Sequence, residues 1–376
     1  MALNPVNTAA TELRPSVGAS LLGLDRFGLL QLMAAPEKVD AFCASSRHRT
    51  RDFMARLYGT HGQSATLGEP LWPKRLQKVV GQGWTAAPMV QVRHHQQSLT
   101  DGSIRLALGS GPQGQTFESV LIPERGRLTQ CLSTQVGCAQ GCRFCRTGTM
   151  GLVRQLSAAE IVSQVLVGQD HWRRNRSSVP DGFGADRVTN IVFMGMGEPL
   201  DNIDEVLLAC RILTDPWGLG VAPTRVTVST VGLVDGLKRL LVESSVQVAW
   251  SLHSPFEEER SRIVPANQRH SIAEILEVFR HCLPPKRHVF VQYTLLRGVN
   301  DSLAHAREIA RLFQDIPCKI NLIPLNEHDR TGFRRPALES VAGFRKILRE
   351  SGHVVTVRLS KGQDIFGACG QLAETL

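Results

Sequence analysis

The sequence predicts an α/β protein: an open, partial barrel of six βα units, preceded by a helical accessory region and a small β extension. Three observations predict it. From residue 128 onward, short strand patterns alternate with longer helical ones, which implies a parallel sheet with right-handed crossovers. Six such units suit an open barrel better than a closed eight-stranded one. The chain has 376 residues, 42% hydrophobic and 20% charged, so a packed core is expected.

Residues 1–87 read as a helical accessory domain, because apolar residues recur at helical spacing over 21–33 and 39–58. The second segment carries Arg47, Arg49, Arg51 and Arg56, which suit either a solvated face or a phosphate-contacting, RNA-binding one. Residues 88–127 read as the β extension, with strand runs MVQVRHH, SIRLALG and FESVLIP separated by turn signals at Asp101-Gly102 and 110–114. The barrel spans 128–352. Its strands are expected at 128–134, 189–195, 225–230, 246–252, 289–295 and 319–324. Helices are expected near 157–169, 203–214, 233–243, 271–281, 302–314 and 337–350, the first opened by a capping box of Ser157 and Glu160. Residues 353–376 add one more strand and a glycine-flanked tail with Cys369.

Lys and Arg outnumber Asp and Glu by 43 to 34, a net charge of +9 that favours a polyanionic partner such as nucleic acid. Two basic segments could serve one. Residues 171–186, with Trp172, Arg173, Arg174 and Arg176, suit a flexible surface loop or a stacking surface for single-stranded RNA. Residues 328–336, HDRTGFRRP, follow the sixth strand and should rim the barrel mouth. No apolar run reaches the roughly 18 residues of a membrane span. The start, MALNPVNTAATELRPS, lacks a signal-peptide pattern. Nine cysteines, an odd number, suit a reducing cytoplasm with metal-binding or catalytic thiols.

The chemistry centres on residues 131–145, CLSTQVGCAQGCRFC. Cys138, Cys142 and Cys145 form a CxxxCxxC run whose thiolates can converge on one metal centre. A [4Fe-4S] cluster usually takes four cysteines, so three would leave one iron open to a substrate. A zinc site completed by a distant residue, or buried structural cysteines, would also use such a triplet. Polar residues recur where successive strands end: Gly197 and Glu198, Ser229, Ser251 to His253, and Asn326. Singly each suits a cap or a turn. Together, beside a cysteine loop, they suit a cofactor site at a barrel mouth.

CxxxCxxC with an aromatic, Phe144, before the third cysteine is the signature of radical S-adenosylmethionine (SAM) enzymes. With GMGEP at 195–199, STVG at 229–232, SLH at 251–253, IPLN at 323–326 and ACGQL at 368–372, the chain from about residue 118 to 372 resembles the RlmN/Cfr family of radical SAM RNA methyltransferases. The resemblance implies a radical SAM barrel with a [4Fe-4S] cluster on Cys138, Cys142 and Cys145. It implies SAM held by Gly197, Glu198, Ser229, Ser251, Leu252, His253 and Asn326. Cys369 would be the cysteine that becomes S-methylated, Cys131 its thiol partner and Glu118 the proton acceptor. The implied reaction uses two SAM molecules to methylate carbon 2 or carbon 8 of an adenine in ribosomal or transfer RNA, ending in a Cys131–Cys369 disulfide. An electron donor such as a flavodoxin-type protein is implied as well. Cys43, Cys210, Cys282 and Cys318 read as core or neutral positions. The run RTGTMGLVRQLS after the third cysteine leaves the modified carbon and the RNA open. Two other readings stand beside this one: a non-catalytic RNA-binding protein with a structural metal site, and a radical SAM enzyme acting on something other than RNA.

Overall fold

Strands that bury apolar residues on one face suit a sheet backed by helices on that face, leaving the other free to line a cavity. Among the described residues the chain makes one large sheet of this kind. The computed structural model describes residues 20–26, 28–29, 51, 54–55, 57–58, 87–110, 114–176, 179 and 182–373. Most of the expected accessory region, with Arg47, Arg49, Arg56 and Cys43, lies outside the described residues. Of that region, Leu21, Leu22, Met54 and Tyr58 are buried in the core, and Tyr58 donates from its hydroxyl to the Leu24 carbonyl at 3.2 Å.

The sheet begins with an antiparallel meander of β1 (Gln91–Gln97), β2 (Ile104–Gly109), β3 (Thr116–Glu124) and β4 (Arg127–Cys131). A separate hairpin follows, β5 (Gln135–Cys138) with β6 (Gly151–Gln155). Then strands and helices alternate: α1 (Ala158–Asn175), β7 (Asn190–Phe193), α2 (Ile203–Thr214), β8 (Val226–Thr230), α3 (Val234–Glu243) and β9 (Gln247–Ser251). They continue with α4 (Glu257–Ile263), α5 (Ile272–Cys282), β10 (Val289–Leu295), α6 (Leu303–Leu312), β11 (Cys318–Pro324), α7 (Leu338–Glu350) and β12 (Val354–Val357). The strand order is β1-β2-β3-β4-β7-β8-β9-β10-β11-β12, parallel from β4 onward. β12 ends the sheet unpaired with β4, so the barrel is open. The β extension is therefore continuous with the barrel wall through β3 and β4.

The helices start where sequence chemistry places them. Ser157 caps α1 and Ser271 caps α5, each with a glutamate three residues on completing the box. Trp250 of β9 is fully buried between sheet and helices, its ring near Phe279 of α5 and Phe313 after α6, its Nε1 donating to the Val231 carbonyl at 3.2 Å.

Three features depart from expectation. The described start of the 171–186 segment is helix rather than loop, and Trp172 is not available as a stacking ring: α1 runs on to Asn175, and Trp172 is 1% exposed with Nε1 donating to the Ala185 carbonyl at 2.9 Å. A large apolar ring that can fill core space and bond its one polar atom does not stay at the surface. Arg174 pairs instead with Asp170, and Arg176 with Asp186. The hairpin β5–β6 was not anticipated, because its strands are short and pair across the cysteine loop. Nor was α4, EEERSRI, which has little apolar periodicity but carries glutamates in its first turn and arginines in its last, as the helix dipole favours. Among the described residues no helix is long and apolar enough to cross a membrane.

Trp250→Ala removes the largest ring from the contact between β9 and its helices. It is expected to cost about 3–5 kcal/mol, read as a lower urea midpoint of the cluster-free protein. An unchanged midpoint would show that the core does not lean on this ring.

Candidate active site

The cysteine loop is framed by the β5–β6 hairpin. At Gly137 (φ +75°) the strands approach so closely that a Cβ would stand 2.0 Å from the Gly151 carbonyl oxygen. Only glycine fits there. Cys138 ends β5, and the turn to Cys145 is closed by Cys145 N donating to the Cys142 carbonyl at 3.1 Å. Three outside contacts fix the turn: Arg143 N to the Ile263 carbonyl at 3.0 Å, Arg146 N to the Gly370 carbonyl at 2.8 Å, and His328 Nε2 to the Phe144 carbonyl at 3.1 Å. The last contact ties part of the 328–336 loop to the cysteine loop, while Arg330 and Arg334 stay exposed.

Burial pushes the Cys138 thiol up to about 12 and holds the Cys142 and Cys145 thiols above their ordinary value. The sulfurs raise one another further. Buried thiols of this kind become thiolates only beside a strong positive charge, which bound iron supplies. Among the described residues no three His, Cys, Asp or Glu converge closely enough to hold a single metal ion. A [4Fe-4S] cube takes each thiolate on a different iron, so a wider spread is compatible with it. The donor set fits the cluster.

All three cysteines line one cavity with Gly197, Glu198, Ser229, Ser251, His253, Asn326 and Cys369. These residues come from the carboxyl ends of β7, β8, β9 and β11, as a parallel barrel requires. Glu198 is 3% exposed, accepting from Leu200 N and Val231 N, both at 3.0 Å, and burial pushes its carboxyl up to about 7. An ammonium group beside it would restore its charge. Asn326 donates to the Cys369 carbonyl at 3.0 Å, and its buried Oδ1 has no protein partner. Ser229 and Ser251 stand with hydroxyls 3.5 Å apart. His253 adopts φ +58°, accepts from Thr294 N through Nδ1 at 3.0 Å, and is held down to about 3 by burial, so it stays a neutral ring against Phe144. Leu252 does not line the cavity: it is fully buried, and its carbonyl accepts from Arg260 Nε at 2.8 Å.

Below lies a larger cavity of about 770 Å³, lined by Cys131, Cys369, Met194, Gln292, Ile323 and Arg358 among others. Both cavities are lined in part by Cys369, Met194, Gln292, Ile323 and Arg358, so they are neighbours with Cys369 in the wall of each. Burial, with Cys369 adding and Arg358 opposing, pushes the Cys131 thiol up to about 12. All described cysteines are free thiols; Cys210 is buried on α2, and Cys282 and Cys318 are half-buried. Glu118 lines neither cavity. It sits behind β4, 1% exposed and paired with Arg105, with Oε2 unpartnered and its carboxyl raised by burial against the pull of Arg105.

Several residues around the site carried no signal of their own. Gln135 accepts from Glu198 N at 2.8 Å, and a Cβ on Gly197 (φ +101°) would stand 2.6 Å from the Gln135 Cβ. Arg260 is fully buried and donates to the carbonyls of Leu252, Val231 and Ser251 at 2.8, 2.6 and 3.1 Å, tying together the loops after β8 and β9. Arg260 lies in a run that reads as exposed charge, so only tertiary structure reveals it.

Residues 132–312 match the model of the Radical SAM superfamily, whose members use a [4Fe-4S] cluster and SAM. The dual-specificity RNA methyltransferase RlmN of Desulfotalea psychrophila is 45% identical over 261 residues, 69% of this chain and 72% of the relative. RlmN of Marinobacter nauticus is 43% identical over 262 residues, 69% of each chain. Among solved structures, a radical SAM methyltransferase from Sphaerobacter thermophilus superposes with a TM-score of 0.79 at 36% identity, covering 94% of this chain and 99% of that one. Neither the non-catalytic reading nor the non-RNA substrate draws support from these relatives. Fold, cysteine loop and relatives agree: the chain belongs to the RlmN/Cfr family of radical SAM RNA methyltransferases.

Proposed function

We propose that this protein methylates carbon 2 or carbon 8 of an adenine in ribosomal or transfer RNA, with Cys369 carrying the methyl group in transit. The reading is supported above all by the position of Cys369, which borders both the cavity of the three cysteines and the cavity of Cys131. Cys138, Cys142 and Cys145 would hold the cluster. Glu198 would take the SAM ammonium, with Gly197, Ser229, Ser251, His253 and Asn326 enclosing the rest and Leu252 bracing the strand end. Bound there, the cluster and SAM supply a transferable methyl group and a carbon radical able to take a hydrogen atom.

The chain's own residues do the remainder. The larger cavity takes one amide or hydroxyl side chain from each of six parallel strands: Thr129, Asn190, Thr227, Gln292, Asn321 and Thr356. Such groups can read the edge of a base taken out of its stack. Arg127, Arg225 and Lys361 also line it and suit phosphates. Glu118 is the proton acceptor that the resemblance implies; it lines neither cavity and is paired with Arg105, so taking the ring proton, once the Cys369 sulfur is joined through a methylene to the base, would require its carboxylate to leave that pair and reach the base. Cys131 would then attack the Cys369 sulfur as a thiolate. The sulfur–sulfur bond forms while the sulfur–carbon bond breaks; the electron pair of the broken bond goes to the methylene carbon, which takes the proton that Cys131 gives up and becomes the methyl group of the released base. We further propose a cytoplasmic location, where thiols stay reduced, and a flavodoxin-type electron donor.

Two experiments test this. Cys142→Ala is expected to lose most bound iron and the visible absorption of a [4Fe-4S] cluster after anaerobic reconstitution, whereas Cys210→Ala keeps both; equal iron in the two would refute the assignment of the loop. Cys131→Ala is expected to accumulate a covalent RNA–protein adduct on denaturing gels. Cys369→Ala should form none and methylate nothing. Full turnover by Cys369→Ala, read as methyladenosine by mass spectrometry of RNA nucleosides, would sink the proposal.

A further inference from the structure

Arg105 lies on β2, in the extension rather than the barrel, and is 2% exposed. Its Nη1 donates to the Ile365 carbonyl at 3.1 Å and its Nη2 to the Ala373 carbonyl at 3.2 Å. Nε donates to Glu118 Oε1 at 3.0 Å, and Nη2 also reaches that carboxylate. Ile365 and Ala373 are the residues four before and four after Cys369. One guanidinium thus grips both feet of the arc whose midpoint is the reactive sulfur.

We infer that Arg105 is the positioning residue for Cys369: it clasps the two flanks of the 365–373 arc and so holds Cys369 in the wall that borders both cavities. Guanidinium fits the task because its planar fork presents several donors in fixed directions, so two carbonyls and a carboxylate are met at once. A lysine ammonium on a flexible stem meets one foot or the other. Glu118 makes the burial of the cation tolerable, since an unpaired buried charge is strongly unfavourable. The extension thereby acquires a function in the reaction: β2 and β3 supply the clasp that the open barrel lacks. The remaining tail contacts agree with a two-footed arc. Asp364 accepts from Leu99 N at 3.1 Å and from the Thr100 hydroxyl at 3.3 Å, and Asp101 accepts from Gly362 N at 2.8 Å, so the same extension holds the approach to the first foot.

The inference rests on the proposed function only for the importance of Cys369; its test reads the arc itself. The cluster-loaded protein is treated with iodoacetamide, and labelling at Cys369 and at Cys210 is followed by peptide mass spectrometry. In Arg105→Gln and Arg105→Lys, Cys369 should label roughly tenfold faster than in the unaltered protein, the factor expected when a charge-assisted hydrogen bond no longer opposes local opening. Cys210, buried on α2, should keep its rate. Unchanged Cys369 labelling in Arg105→Gln, or a rate in Arg105→Lys equal to the unaltered protein's, overturns the clasp. Should both variants label Cys210 as well, and so have lost the fold, Glu118→Gln decides. It keeps the shape but removes the counter-charge, and it should speed Cys369 labelling alone; no change overturns the clasp. If the labelling behaves as expected while the unaltered protein methylates no RNA, the clasp stands and the assigned reaction falls.

Discussion

A buried segment without regular structure must find a donor for each of its carbonyls one at a time. Residues 365–373, largely buried, meet that constraint at five carbonyls with donors from elsewhere in the chain, and the rest of the site is arranged by how they meet it. The Ile365 and Ala373 carbonyls accept from Arg105, Cys369 from Asn326, Gly370 from Arg146 N and Leu372 from the Thr147 hydroxyl at 2.6 Å. The donors come from the extension, from the end of β11 and from the two residues directly after Cys145. The tail therefore cannot take up this path unless the cysteine loop, the barrel rim and the extension are all in place. Its sulfur arrives over the cavity only when the cofactor loop is folded.

The same burial sets the charge state of the mouth. Low polarity pushes Glu198 and Cys138 toward their protonated forms and His253 toward its neutral one, and it holds Arg260 down to about 10. Burial thus works against charge on these walls, even though they carry ionisable groups. On the proposed assignment, guests that bring charge, iron for the thiols and an ammonium for Glu198, would convert those walls into partners, and Glu198 would need little reorganisation because its hydrogen bonds are already made. His253 has the reverse part. It stays an uncharged ring held by Thr294 N, and its backbone is held in the left-handed region where Asn300 Nδ2 reaches its carbonyl at 2.6 Å.

Most of the barrel was legible from sequence because each parallel strand is a short apolar run and each helix has a full periodic face. Ser229, Ser251 and Asn326 stood out for a related reason: each is a polar residue at the end of such a run, where packing gives it no purpose. The same reasoning applies lower on the strands, where Asn190, Thr227, Asn321 and Thr356 point into the larger cavity. They passed unnoticed because a polar residue in the middle of a strand is ordinarily a solvent-facing one. Arg105 was illegible for a different reason. Its tail partners lie 260 and 268 residues away in the chain, and no local pattern reports a contact that only the folded sheet creates. Trp172 misled because the arginines beside it face solvent while its ring does not.

The location of Cys369 also changes what the tail has to do. In the proposed reaction the Cys369 sulfur meets SAM on one side and Cys131 on the other, which suggests a long swing between two sites. Here Cys369 borders both cavities, and Arg358, Met194 and Gln292 belong to both walls. A rotation of the Cys369 side chain, or a small shift of the arc at Gly370 (φ +83°), changes which cavity it faces. Clasped feet and a pivoting midpoint are then compatible. The flanks can stay hydrogen-bonded while the reactive atom turns, and the backbone carbonyls that made the arc costly to bury never have to give up their donors.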